Sequence, residues 1–410
     1  MIYIHIPFCR SFCTYCDFYS EVASDCHGRY CSALCAEIKA RASEISDEIN
    51  TLYIGGGTPS VLPLSVLESV VETLKSVGHG GPYKEFTVEV NPDDIVRKGK
   101  EYVEGLLRLG VNRISMGIQS FDDDLLKWMN RRHDSATARK AYSILEDAGV
   151  PAISIDLIFG IPQLTDELWK ETLEKALSIS SRGNLPHHIS SYQLSVEPGS
   201  ALAGMVERGG WSEASEDQCE RQYGMLCEAL SAAGYEHYEI SNFALPGHEA
   251  MHNSAYWRHE PYVGFGPAAH SFLLNIPTVI PDRAHSVIPD HVPTVIPDHV
   301  PTVIPDLIGD PRRQWNTSSL HDYMAAAESG SFSSVVGHET LDPDQIVIEK
   351  IMLALRTAAG ISEEFLAGHC SRAALSRALS SGDLVRLPSG NVRIPESRFF
   401  VSDSIISDLI

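Results

Sequence analysis

Cys9, Cys13 and Cys16 fall within eight residues in the spacing CxxxCxxC, directly after an apolar run at 1–6. Thiolates are the usual ligands of iron–sulfur clusters. Three of them in one tight loop can hold three corners of a four-iron cube. The fourth iron then lacks a protein ligand and can take a substrate or cofactor. Zinc stays open as an alternative, although structural zinc prefers four closed ligands and only His5 stands close by. Cys13-Thr-Tyr-Cys16 also reads as a CxxC redox dithiol, a reading that leaves Cys9 without a role. Attachment of c-type haem requires CxxCH, and here Asp17 follows Cys16. Cys26, Cys31, Cys35, Cys219, Cys227 and Cys370 read as buried or incidental thiols.

A second feature stands at "YIGGGTPS" (53–60), where Gly55, Gly56 and Gly57 permit close backbone approach and unusual φ values. A plain tight turn is the competing reading. Glu89, Gln119, Asp156 and Gln193 each break an apolar run near the end of a candidate strand. Any one of them could be a cap or a satisfied core residue. Four at the same edge of successive strands favour one shared pocket, because small-molecule sites of α/β folds lie at the carboxyl ends of strands.

Those residues need elements to position them. Apolar runs predict strands at 1–6, 51–54, 85–90, 112–118, 152–159 and 188–195. Amphipathic spacing predicts helices near 28–47, 64–77, 99–109, 135–148 and 166–180, two of them ending at Gly78 and Gly149. This alternation implies an α/β fold with parallel strands and right-handed crossovers. A doubly wound sheet and a barrel both satisfy it. Beyond about residue 205 the pattern changes, with helices near 215–233 and 318–328 around a Gly-, Pro- and aromatic-rich stretch at 235–273. Residues 343–410 look self-contained, with helices at 343–358, 362–368 and 371–380. "LVRLPSGNVRI" then gives a hairpin, the outline of a winged helix.

The stretch 279–310 is four copies of an eight-residue unit built on "VIPD". Its prolines block helix and central strand alike, so 276–311 reads as an inserted, extended loop, exposed and protease-sensitive. Its His291 and His299 read as part of the low-complexity repeat rather than as metal ligands.

Composition removes several classes. Lys+Arg 32 against Asp+Glu 54 gives −22, which repels phosphate backbones, so nucleic acid is not expected as a partner. No apolar stretch reaches the roughly eighteen residues of a membrane span. The opening "MIYIHIPFC" has no basic n-region or long apolar h-region. A reducing cytoplasm follows as the expectation, without disulfides.

CxxxCxxC after strand one and GGGTP after strand two resemble the radical S-adenosylmethionine superfamily. The resemblance implies a partial parallel (β/α)6 barrel, with a C-terminal α+β region ending in the winged-helix-like unit. It implies that Cys9, Cys13 and Cys16 ligate a [4Fe-4S] cluster whose open iron chelates S-adenosyl-L-methionine. One electron, from reduced flavodoxin or ferredoxin, would then yield a 5′-deoxyadenosyl radical. "EVNP", "MGIQSF", "MNRRH", "DLIFGIPQ" and "HNSAYW…GFGPAAHSF" narrow the likeness to the oxygen-independent coproporphyrinogen III oxidase group, nearest its HemW branch of haem chaperones. On that pattern Tyr3, Gly55, Gly56, Gly57, Thr58, Glu89, Gln119, Arg131 and Asp156 contact S-adenosylmethionine.

The oxidases carry CxxxCxxCxC and a sizeable N-terminal extension. This chain has Phe18 at the last position and reaches its cysteines nine residues from Met1. Both departures favour the chaperones and set porphyrinogen decarboxylation as the alternative, so enzymatic turnover stays open. The branch's HNxxYW is present as His252-Asn253-Ser254-Ala255-Tyr256-Trp257. It makes His252, Asn253 and Tyr256 candidate haem contacts, with His270 a second option; a hydrogen-bonded structural histidine is the competing reading of His252. The resemblance divides the chain into a core barrel (1–205), a connecting and haem-binding region (206–342) and the winged-helix-like unit (343–410). It implies haem-accepting apoproteins as partners, and leaves peripheral membrane contact and a homodimer open.

Overall fold

The computed structural model describes residues 1–22, 25–46, 48–274 and 311–410. The repeat at 279–310, with His291 and His299, lies outside the described residues.

The expected strand–helix alternation forms. Strands β1 (Ile2–Ile6), β2 (Thr51–Gly56), β3 (Glu85–Val90), β4 (Arg113–Gln119), β5 (Ala152–Phe159) and β6 (His188–Gln193) are all parallel and pair in chain order. Helices α1 (His27–Ala40), α2 (Leu64–Ser76), α3 (Pro92–Arg108), α4 (Asp123–Trp128), α5 (Ser135–Ala148) and α6 (Asp166–Leu177) lie between them in sequence. A doubly wound sheet reverses its strand order at a switch point, and this order never reverses. The sheet also curls. Five strand spacings of about 4.8 Å would part β1 and β6 by roughly 24 Å in a flat sheet, yet Tyr3 of β1 and Tyr192 of β6 line one cavity.

Period-two alternation explains the curl's contents. Ile2, Ile4, Ile6, Leu52, Ile54, Phe86, Val88, Ile114, Met116, Ile153, Ile155 and Ile189 are buried in one core with helix residues such as Leu34, Val70, Leu106 and Leu145. Their neighbours Tyr3, Tyr53, Glu89, Ser115, Asp156 and Ser190 turn the other way, into the lumen. The lumen is therefore polar while the outer face of the sheet is apolar.

Local signals set most boundaries. Asp134 caps α5 by accepting from the Thr137 amide, and Gly149 ends it at φ 78°. Helix α3 starts at Pro92, earlier than the expected 99, because Gly99 (φ 72°) kinks it and breaks the apolar period there. Helix α1 stops at Ala40 and a 3-10 turn covers Ala42–Glu44, short of the expected 47.

Past residue 205 the chain returns to the same sheet. Helices α7 (Ala201–Glu207) and α8 (Glu216–Ala232) lead to β7 (Glu236–Glu239) and β8 (Asn242–Ala244). Strand β8 pairs antiparallel with β6, and β7 with β8. After α9 (Met251–Trp257), β9 (Val263–Phe265) adds in parallel to β1. The sheet thus has nine strands, and no pairing joins β7 to β9 among the described residues. Strands β10 (His270–Leu273), β11 (Arg312–Asn316) and β12 (Val336–Thr340) form a separate antiparallel sheet, with α10 (Leu320–Ser329) between β11 and β12 in sequence. The end of the chain has α11 (Pro343–Ala354), β13 (Ile361–Ser362), α12 (Glu363–His369), α13 (Arg372–Ser381), β14 (Val385–Arg386), β15 (Asn391–Arg393) and α14 (Ser402–Leu409). Four helices and a small three-stranded antiparallel sheet make up this segment. No helix among the described residues is long and apolar enough to cross a membrane.

Candidate functional site

The cysteine loop, residues 7–22, leaves β1 at one mouth of the lumen. Its base closes through Cys9 N–H donating to Glu21 O (3.0 Å) and Glu21 N–H to Pro7 O (2.7 Å). Its crown is tied to the end of α4: Thr14 donates to Met129 O (3.1 Å) and Trp128 O (2.8 Å), and Asn130 Nδ2 to Phe12 O (2.7 Å). Cys9, Cys13 and Cys16 are half-buried free thiols. Cys9 Sγ lies 3.4 Å from Thr58 Oγ1, and Cys13 Sγ accepts from Arg131 Nη1 at 3.4 Å. Burial, with the neighbouring Cys13, Cys9 and Asp17, pushes the Cys16 thiol up to about 12 against donation from the Phe18 amide.

The glycine turn is bolted to this loop. Gly57 N–H donates to Ile6 O (2.8 Å) and Thr58 N–H to Phe8 O (2.7 Å). A Cβ at Gly57 would stand 2.8 Å from Phe8 O and 3.0 Å from Ile6 O, so only glycine lets the two segments touch. Gly56 sits at φ 106° and gives its N–H to Glu89 Oε2 (3.1 Å). A Cβ at Gly55 would meet Tyr53 and Glu89. Two of the three glycine amides are therefore committed inside the protein.

Acids and a base surround the turn. Glu89 also accepts from Tyr53 OH (2.6 Å), and burial raises its pKa to about 7. Asp156 accepts from Ser115 Oγ (3.1 Å) and is likewise raised by burial. Arg131 Nη2 reaches Asn91 Oδ1 and Gly117 O, while its buried Nε has no partner. Gln119 sits on the β4 bulge with φ 72°. Tyr3 OH meets His5 Nδ1 at 3.0 Å.

Helix α9 closes the opposite end. Its first amides, Met251 (2.6 Å) and His252 (3.2 Å), donate to the Glu85 carboxylate at the start of β3. His252 is buried, its Nδ1 2.8 Å from Thr51 Oγ1 and its Nε2 3.0 Å from Tyr256 OH. Burial, and then the N-terminal ammonium, lower its pKa to about 3. Asn253 Nδ2 approaches Glu239 Oε1 at 3.5 Å. Thr51 begins β2 and Gly56 ends it, so floor and mouth stand about 16 Å apart at 3.3 Å per residue.

One cavity of about 930 Å³ connects the two ends. Tyr3, Cys9, Cys13, Cys16, Gly56, Gly57 and Thr58 line it, as do Glu89, Gln119, Arg131, Asp156, His252, Asn253 and Tyr256. Gly55 does not line it, and His270 stands apart on β10, exposed and stacked on Trp315 at 6.2 Å. Sequence reasoning missed Tyr53, Glu85, Arg113 and Glu239. Each had one visible signal, a polar residue at an inward position of a strand.

Residues 3–176 match the Radical SAM superfamily family model. The chain is 32% identical over 363 residues to "Heme chaperone HemW" of Lactococcus lactis, spanning 88% of this chain and 83% of that protein. The chain belongs to the HemW family of radical SAM proteins. The Bacillus subtilis member is 35% identical over 280 residues, covering 68% of this chain and 72% of the relative. The match to the Synechocystis member is 34% identical and spans 65% of that protein, slightly under two thirds of its length. Among solved structures, coproporphyrinogen III oxidase (HemN) from Escherichia coli shares the fold, with a TM-score of 0.75, 19% identity, and coverage of 99% of this chain and 89% of that one.

Membership of the radical SAM HemW family implies a [4Fe-4S] cluster and S-adenosylmethionine. The mouth fits both. Among the described residues no group of three or more His, Cys, Asp or Glu could hold a metal ion between them. Three thiols around a common wall suit a cube, which spreads its ligands over separate irons. A cluster would also stabilise the Cys16 thiolate, which burial now opposes. The unpartnered Arg131 Nε and the raised carboxyls of Glu89 and Asp156 leave a buried polar wall able to meet a charged amino-acid group.

Proposed function

We propose that this chain is a haem chaperone of the HemW type, which binds haem and a cluster liganded by S-adenosylmethionine, then delivers haem to acceptor proteins. The observation that carries this reading is the single cavity shared by the cysteine loop and the His252–Trp257 helix. Cys9, Cys13 and Cys16 hold the cluster. When bound, cluster and S-adenosylmethionine supply one-electron chemistry, with reduced flavodoxin or ferredoxin as donor. Backbone carbonyls of the Gly55–Gly57 turn accept from the methionine ammonium, since two amides there are already used. Tyr3, Thr58, Glu89, Gln119 and Asp156 would surround S-adenosylmethionine in this cavity, and the Arg131 guanidinium would suit a carboxylate.

Haem meets the helix at His252, Asn253 and Tyr256. Both His252 nitrogens are hydrogen-bonded, so iron ligation there requires Tyr256 OH to leave Nε2. The three-part division at 205 and 342 is functional in this reading, with the middle part lending β7, β8 and β9 to the barrel sheet. The protein acts in the cytoplasm and meets respiratory acceptors at the membrane surface.

Two experiments test this. Anaerobically reconstituted protein with coproporphyrinogen III, reductant and S-adenosylmethionine is expected to form no protoporphyrinogen. Sustained turnover would replace the chaperone reading with oxidative decarboxylation, a reading that Phe18 in place of a fourth cysteine disfavours. Haem titration should show weaker affinity and a changed Soret band in His252→Ala, and tighter binding in Tyr256→Phe, which frees Nε2. Identical titrations for all three proteins would remove His252 from the haem site.

A further inference from the structure

Arg113 opens β4 and points into the lumen, because Ile114 and Met116 face the helices. It is only 5% exposed. Among the described residues its guanidinium makes no hydrogen bond and no ion pair within 4.0 Å, although its charge acts at longer range on the Asp156 carboxylate. Every charged or polar neighbour is otherwise engaged. Asp156 accepts from Ser115, at 3.1 and 3.4 Å, and from Ser190. His188 is closed between Ser154 Oγ (2.7 Å) and Tyr238 OH (2.7 Å). Glu85 caps α9, and Glu239 is held by Asn242, Asn253 and the Ser241 amide. Arg131 offers the contrast, with both Nη atoms bonded within the protein.

An arginine cannot shed its proton, and a buried unpaired charge is strongly unfavourable. The molecule keeps one facing a large cavity. A planar fork of donors matches one group best, a carboxylate taken bidentately. We propose that Arg113 is an anion anchor in the lumen that binds a carboxylate of the guest. Identifying that carboxylate as a haem propionate rests on the chaperone reading; the anchor itself does not. The methionine carboxylate of S-adenosylmethionine has the same chemistry and is the other source.

The test uses the full chain, reconstituted anaerobically. Haem and haem dimethyl ester are titrated into wild type, Arg113→Gln and Arg113→Lys, and S-adenosylmethionine and its decarboxylated analogue are titrated in the same way. A charge-assisted pair is worth roughly ten- to a hundredfold in affinity. Wild type is expected to prefer the diacid haem by that factor, Arg113→Gln to lose the preference, and Arg113→Lys to keep part of it. If the preference moves in the S-adenosylmethionine pair instead, the anchor stands and its guest is the cofactor. If wild type shows no preference in either pair, or keeps one in Arg113→Gln, the proposal falls. The wild-type comparison needs no variant. Absence of any haem binding would remove the chaperone reading and leave the S-adenosylmethionine pair to decide Arg113. Stability supplies an independent check. Without guest, Arg113→Gln should unfold at a midpoint no lower than wild type, because a buried guanidinium without a hydrogen-bond partner is removed and no hydrogen bond is lost. A lower midpoint, or failure to fold, would make Arg113 a structural residue and overturn the anchor.

Discussion

The two ends of the lumen are built in opposite ways. The mouth is made of loops. Residues 7–22 and the glycine turn are held by main-chain hydrogen bonds, and their thiols stay half-buried and free. The floor is made of a helix and strand starts, sealed by side chains that satisfy one another: Glu85 with α9, Thr51 and Tyr256 with His252. A mouth of this kind presents unspent ligating groups to the cavity, whereas the floor spends nearly all of its own. Cluster and S-adenosylmethionine chemistry therefore belongs at the mouth, whereas the floor fixes the shape of the cavity and the position of β1–β3, and a guest reaches His252 there only by displacing an internal hydrogen bond.

The sharpest way to separate the ends is to remove one thiol. Cys13→Ala should reduce anaerobically loaded iron and sulfide to background. The metal-free protein should unfold near the wild-type midpoint, because the Cys13 side chain bonds only to groups of the mouth itself, Arg131 and Tyr15. Iron content unchanged in Cys13→Ala, or zinc in its place, would refute a cluster held by this loop.

His252→Ala makes the reverse test. It empties a buried volume and leaves Thr51 Oγ1 and Tyr256 OH without their partner, which together cost about 3–4 kcal/mol. Urea unfolding reads that loss, while cluster loading should stay at the wild-type level. If loading falls as well, the two ends are coupled through the strands that join them.

The same contrast governs what the sequence revealed. The mouth is written in short spacings, CxxxCxxC and GGGTP, whose residues are near neighbours along the chain. The six parallel strands were legible because their outward faces are aliphatic at every second position. Helix α3 was misplaced at its start, since Gly99 interrupts the period. The floor was harder to read. Glu85 caps a helix 166 residues away, and Arg113 looked like an ordinary polar residue at a strand boundary. A seven-residue helix such as α9 spans barely two turns, too few to show a period. Barrel and doubly wound sheet differ only in strand order, a long-range property that local patterns do not carry.

Gly57→Ala probes the seam between loop and turn. The added Cβ would push on two backbone carbonyls, Phe8 O and Ile6 O, which cannot rotate away. Overpacking of this sort costs about 2–3 kcal/mol. Both the unfolding midpoint and the cluster loading should drop, unlike in either preceding variant. A fall in stability with full loading would show that the turn supports the sheet without shaping the cysteine loop.

The last effect concerns charge at the floor and depends on pH. Burial raises the Glu239 pKa from 4.5 to about 7, against donation from Asn242, the Ser241 amide and Asn253. The folded protein thus keeps a proton that the unfolded chain releases above about pH 4.5. Its contribution is complete below that pH and is lost as pH rises through 7. Buried His252, His133 and His237, lowered to about 3, 3 and 4 by burial, act in the opposite direction, losing stability as pH falls below 6.5. Those terms are common to wild type and Glu239→Gln, so they cancel in the difference between them. A glutamine has no proton to release. The variant should match wild type near pH 4.5 and become the more stable of the two toward pH 8, as urea unfolding at several pH values would show. A gap that stays constant across that range would mean the Glu239 carboxylate is already compensated, and the floor would then be no drier than the mouth.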